Sequence, residues 1–225
     1  MCSAAEVPSY SEIHDSSPFV APPQVAAPYV AFSKAGFEVD VASILGGEPP
    51  VDAGSLGDMA KSDECVAFAA DAGAAAKLAA TQPVDAFVAT AASYAAVFLP
   101  GGHGTALDFR GSDGLKKVIE NAYAAGGVIG AVCHGPCGLL SAEVDGKPLV
   151  AGKKVTGFSN VEEQMVGLEG KVPYSLEDAL VQLGGTYAKG DPWGPFVQVD
   201  GRLVTGQNPG SSKLCGDKIV ELLSA

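Results

Sequence analysis

The stretch 127–140, GVIGAVCHGPCGLL, sets a thiol and an imidazole side by side at the end of an apolar run. Val128–Val132 reads as a buried strand leading into Cys133. His134 follows directly, Gly135-Pro136 turns the chain, and a helix is expected to start near Gly135. A cysteine at a sharp strand-to-helix turn points its sulfur off the sheet, where a ligand can reach it. The N–H groups and positive end of a following helix lower a thiol pKa, so the pattern predicts a reactive, low-pKa Cys133. Gly130, Ala131 and Gly135 leave room for the turn. The competing reading is a structural cysteine, since cysteine is among the most buried residue types.

A second chemical signal is FLPGGHGT, 98–105. Two consecutive glycines after an apolar run expose backbone N–H groups with no side chain in the way. Beside the elbow, Gly101 and Gly102 could donate to an oxyanion. His103 lies on the same loop.

These loops need strands to hold them. The short run 95–99 suits a buried parallel strand, as does Val128–Val132. Ser112 or Asp113 should cap a helix that turns Leu115, Val118, Ile119 and Tyr123 inward. Upstream, 24–35 reads as a helix stopped by Gly36, and Phe37, Val39 and Val41 alternate as a strand would. The segment 46–52 reads as a loop. Asp63 is expected to cap an alanine-rich helical region running to about Ala80, with a break near Gly73. Downstream, 150–158 suggests a hairpin or paired strands around Gly152-Lys153-Lys154. Ser175 opens a helix over 176–183, with Asp178 placed as in a capping box. Strands 196–199 and 202–205 flank Asp200-Gly201, a hairpin signal. Ser211 or Ser212 should cap a final helix with Leu214, Ile219, Leu222 and Leu223 on its apolar face. Strands alternating with helices predict an α/β fold, whose sites form at the carboxyl ends of parallel strands.

The bulk numbers agree with one α/β domain over 1–225. The 225 residues are 47% hydrophobic, enough for a full core. The formal net charge of −12 repels phosphate backbones and argues against nucleic acid. The N-terminal MCSAAEVPSYSEIHD lacks a secretory pattern, and no apolar run of about 18 residues predicts a membrane span. The cysteines (Cys2, Cys65, Cys133, Cys137 and Cys215) are odd in number and irregularly spaced, which fits a reducing, cytoplasmic setting better than a disulfide framework. Cys133 and Cys137 have no second Cys/His pair at zinc spacing, so neither a metal nor a cofactor is expected.

PGGHGT, GGVIGAVCHGP and TGQNPGSS, in this order, resemble the ThiJ/PfpI (DJ-one) superfamily. KAGFEVDVAS, GGEPPVD, TGFSNVEEQMVGL and DPWGPFVQVDGRLVTGQNP fit its heat-shock-protein-31-like branch, which includes glutathione-independent glyoxalase III. The likeness covers about 26–225. It implies a flavodoxin-like, class I glutamine amidotransferase-like parallel sheet sandwiched by helices, with a small β-hairpin addition. It implies Cys133 as nucleophile, His134 as its partner and Glu163 as the acid, with Glu162 as local rival. Gly101, Gly102 and the His134 N–H would form the oxyanion hole, with His103 and Trp193 lining the pocket. It further implies a lyase- or hydratase-type reaction on a small carbonyl substrate such as methylglyoxal, a stress-related role, and a homodimer.

The pattern breaks at its start. The family's first helix carries a glutamate four residues before a Pro-aromatic pair; here the pair is Pro28-Tyr29 and the position holds Gln24. An amide cannot shuttle a proton as a carboxylate does. SAAEVP, 3–8, also makes a poor central strand, with Glu6 and Pro8 in it. Two alternatives therefore stand beside the glyoxalase: a Cys-His-Glu enzyme that hydrates, hydrolyses or rearranges another electrophile, and a chaperone or oxidation sensor that uses Cys133 without turnover.

Overall fold

In the computed structural model, which describes residues 22–49 and 61–225, the chain begins with α1 (Pro22–Lys34), β1 (Ala42–Ser43), α2 (Asp63–Ala70), α3 (Ala72–Ala79), β2 (Gln82–Pro83) and β3 (Ala96–Leu99). It continues with α4 (Thr105–Asp108), α5 (Asp113–Ala124), β4 (Val128–Val132), a 3-10 helix (Gly135–Leu140), and β5 (Glu143–Val144) paired to β6 (Lys147–Pro148). The last part holds β7 (Lys154–Val155), α6 (Asn160–Val166), α7 (Leu176–Gln182), β8 (Thr186–Tyr187), β9 (Val197–Asp200), β10 (Leu203–Gly206) and α8 (Ser212–Leu223). The expectations for 3–8 and for the end of the 46–52 loop lie outside the described residues. No helix among the described residues is long and apolar enough to cross a membrane.

The sheet that positions the site has the order β3-β4-β10-β9. Its first three strands are parallel and β9 closes it antiparallel. Leu99 pairs with Ala131, and Val132 with Gly206, so the carboxyl ends of β3, β4 and β10 finish together. All of β4 is buried. The helices α5 and α8 both pack on it, supplying Leu115, Val118, Ile119, Cys215 and Ile219 to the core. A side chain at Gly130 would collide with Ile219, so glycine sets how closely α8 approaches.

Several expectations need correction. The alternation at 37–41 is real in packing, for Phe37 and Val39 touch the core. The described ladder, however, is only β1 against β2, so pairing rather than pattern ends the strand. Ser62, not Asp63, caps α2, and the break comes at Asp71, whose carboxylate accepts the N–H groups of Gly73 and Ala74 and starts α3. The 150–158 region is no hairpin, because β7 pairs in parallel with β8. The turn between β9 and β10 is Gly201-Arg202, one residue later than expected. Leu214 is exposed. After the elbow comes a six-residue 3-10 helix, where proline and two glycines disfavour an α-helix. Ser112 and Ser175 cap as expected, and Gly36, at φ 87°, stops α1's run.

Candidate active site

Cys133 sits at the end of β4 with φ 59°, a left-handed conformation that costs of order 1–3 kcal/mol in a residue bearing a side chain. Its neighbours make the bend feasible: a Cβ on Gly135 would strike the Leu99 carbonyl, and one on Gly101 would strike Gln24, Val132 and Cys133. The N–H groups of Gly102 and His134 both face the sulfur.

The side chain is 3% exposed. Burial pushes the thiol pKa up to about 12, and the two N–H groups offset only part of that rise. The expected low-pKa thiolate is therefore corrected. The short 3-10 segment supplies too little field to outweigh desolvation.

His134 Nδ1 lies 3.5 Å from the sulfur. On the far side of the ring, His134 Nε2–H donates to Glu163 Oε2 at 2.8 Å. His103 Nε2–H donates to the other oxygen, Glu163 Oε1, at 2.9 Å. An ionised carboxylate only accepts, so both rings carry a proton on Nε2, and a neutral His134 then leaves its Nδ1 bare toward the sulfur. Burial lowers the pKa of His134 to about 4, which its bond to Glu163 only partly counters, so the ring is neutral near pH 7. Burial alone would raise the pKa of Glu163, but the hydrogen bonds and charges of the two histidines hold it at about 2. The nitrogen and oxygen atoms of His103, His134 and Glu163 come within 4.8 Å of one another, a set able to ligate a cation once the Nε2 protons leave.

Glu162, the local rival, does something else. Its Oε2 accepts from the N–H and hydroxyl of Ser159, closing a capping box on α6. Its Oε1 accepts from the Trp193 N–H and from Asn208 Nδ2, both at 2.9 Å. Burial opposes its ionised form, but these donors prevail and lower its pKa.

Gln24 reaches the site from α1, as expected, and is buried. Its Oε1 accepts the Gly101 N–H at 2.8 Å. Of the three expected oxyanion donors, Gly101 is thus already engaged, and Gly102 and His134 remain. Trp193, 43% exposed with φ 63°, stands further out and meets Phe158 edge to face at 5.8 Å. Sequence reasoning passed over Phe158, whose ring lies 4.6 Å from that of His134 and 5.6 Å from that of His103. It also passed over Ser159 and Asn208. All three lie in TGFS and TGQNP, noted as segments without any residue being given a task.

This chain belongs to the DJ-1/PfpI family, whose model matches residues 23–222. Among its relatives is the glutathione-independent glyoxalase HSP31 of Saccharomyces cerevisiae, 37% identical over 137 residues, with 58% of each chain covered. The chain thus spans little more than half the length of that relative. Two solved structures match more fully. The rapid encystment protein of 24 kDa from Francisella tularensis is 33% identical, with a TM-score of 0.84 over 91% of this chain and 89% of its own. Glyoxalase III of Candida albicans is 28% identical, with a TM-score of 0.82 over 92% and 88%.

Proposed function

We propose that the protein is a cysteine-dependent, glutathione-independent glyoxalase that converts a 2-oxoaldehyde such as methylglyoxal to the 2-hydroxy acid, acting as a lyase of the glyoxalase III type in a cytoplasmic homodimer. The observation that carries this reading is the chain of contacts Cys133 Sγ to His134 Nδ1, and His134 Nε2–H to Glu163. The names of the HSP31 and glyoxalase III relatives support the same substrate class.

At rest, thiol and imidazole are both neutral. As the aldehyde enters, the thiol proton passes to His134 Nδ1 and sulfur bonds to the aldehyde carbon. Glu163 stabilises the imidazolium that forms. The N–H groups of Gly102 and His134 stabilise the negative charge as it moves from sulfur to oxygen; one such donor is worth about 10²–10³-fold. The imidazolium then protonates that oxygen, giving a hemithioacetal. A proton must next move from the aldehyde carbon to the ketone carbon, after which water hydrolyses the thioester.

The test is methylglyoxal consumption without glutathione, with lactate quantified, on wild type, Cys133→Ala and Gln24→Glu. Turnover by wild type and none by Cys133→Ala supports the reading. Gln24 favours one alternative, an enzyme acting on another electrophile, because a neutral amide bound to the Gly101 N–H stands where the family's carboxylate would. A silent wild type with an active Gln24→Glu would overturn the glyoxalase reading and turn the search to other electrophiles.

A further inference from the structure

The proton transfer between the two carbons needs a base beside the sulfur, and Gln24 is not one. The carboxylates nearby are spent. Both oxygens of Glu163 hold an imidazole N–H. Both oxygens of Glu162 are occupied by Ser159, Trp193 and Asn208. His134 faces the sulfur and handles the thiol proton, which it has handed to the substrate oxygen before the C–H step begins.

His103 is different. Its ring lies 4.2 Å from that of His134, hung from the opposite oxygen of the same carboxylate. Its Nδ1 has no hydrogen-bond partner among the described residues. Its side chain is 18% exposed against 2% for His134, so it reaches solvent where His134 does not. It also adjoins Gly102, whose N–H faces the sulfur.

We propose that His103 is a catalytic residue, the base that carries the carbon-bound proton. The proposal rests on the glyoxalase reading above. In the hemithioacetal, His103 Nδ1 takes the proton from C1. The C1–H electron pair becomes the C1=C2 bond, and the ketone π pair moves onto O2, giving an enediolate. The same nitrogen then returns the proton to C2, whose new C–H bond uses the C1=C2 pair. The C1 hydroxyl proton passes to O2 as C1=O forms. Hemithioacetal and thioester are isomers, so no oxidant or reductant is needed. Water then cleaves the C–S bond, releasing the 2-hydroxy acid and the thiol. One carboxylate thus orients two bases, one for S–H and one for C–H.

The test compares wild type, His103→Gln, Gln24→Glu and the double variant in lactate production from methylglyoxal and from methylglyoxal deuterated at C1. Glutamine at 103 keeps a donor for Glu163 but cannot take a proton. The expected kcat of His103→Gln is about 10²–10⁴-fold down, with an unchanged unfolding midpoint and a larger deuterium effect on kcat than in wild type. Adding Gln24→Glu should restore turnover by supplying a carboxylate instead. A His103→Gln enzyme with wild-type kcat overturns the proposal while the glyoxalase reading stands. So does a loss of kcat with no increase in the deuterium effect and no rescue, which marks a structural role. A wild type inactive on methylglyoxal overturns both, and is told apart because no variant comparison is needed to see it.

Discussion

Glu162 and Glu163 are consecutive residues on α6, both buried and both ionised, yet they serve different parts of the molecule. Glu162 gathers backbone and amide donors and ties α6, the Trp193 turn and the Asn208 loop together. Glu163 gathers two imidazoles, one of which, His134, faces the sulfur. One carboxylate holds architecture and its neighbour sets tautomers, and the hydrogen-bond partners alone distinguish them.

The strongest way to break this division is Glu163→Gln. An amide can accept from one histidine, but its own N–H₂ faces the other and forces that ring to move its proton to Nδ1. Lactate production per folded molecule should fall about 10²–10⁴-fold, and the thermal unfolding midpoint should drop by the share of stability that ionised Glu163 supplies above pH 4.5. The complementary change is Glu162→Ala. It orphans the Trp193 N–H and the Asn208 amide and opens the capping box, at a cost of about 1–3 kcal/mol for each buried group left unpaired. Urea denaturation should show that loss, while kcat per folded molecule stays within a few-fold of wild type. If Glu162→Ala instead abolished turnover in stably folded protein, the two carboxylates would share the catalytic task.

A smaller effect is in the pH dependence of stability. The folded-state pKa of Glu163, about 2, lies below its ordinary value of 4.5, so its contribution is complete above pH 4.5 and disappears as pH falls toward 2. His134, at about 4 against an ordinary 6.5, binds its proton less readily folded than unfolded, so stability also falls from pH 6.5 to 4. Urea midpoints should therefore decline from about pH 6.5 downward. In Glu163→Gln the part of that decline below pH 4.5 should flatten. The smallest test is alkylation: iodoacetamide at pH 7 should modify Cys133 no faster than the other buried cysteines, with a rate that climbs as pH is raised toward 12.

The elbow was legible because its requirements are local. A buried apolar run, a thiol and then small residues define the bend, and β4 has the expected bounds. The helices with serine caps were legible for the same reason. What failed depends on distant partners. The alternation at 37–41 packs as a strand but finds a ladder only at Ala42–Ser43. Lys154 and Val155 pair with Thr186 and Tyr187, some thirty residues away. The Asp145-Gly146 turn between β5 and β6, with φ of 52° and 73°, carried a signal as plain as Asp200-Gly201 and was passed over. The pKa of Cys133 was misjudged because desolvation is a property of the whole fold. Glu163 was named as the acid from the resemblance alone; the different partners of Glu163 and Glu162 needed the positions of His103, Trp193 and Asn208.

The depth of Cys133 has a consequence for durability. Peroxide and other oxidants attack thiolates, and a neutral sulfur that is 3% exposed offers them little to attack. In the proposed mechanism its reactivity is switched on by a visitor that lets the thiol proton depart to His134, and is otherwise held in reserve. A nucleophile kept in this way should survive long exposure to an oxidising medium, and would make a poor alarm for one.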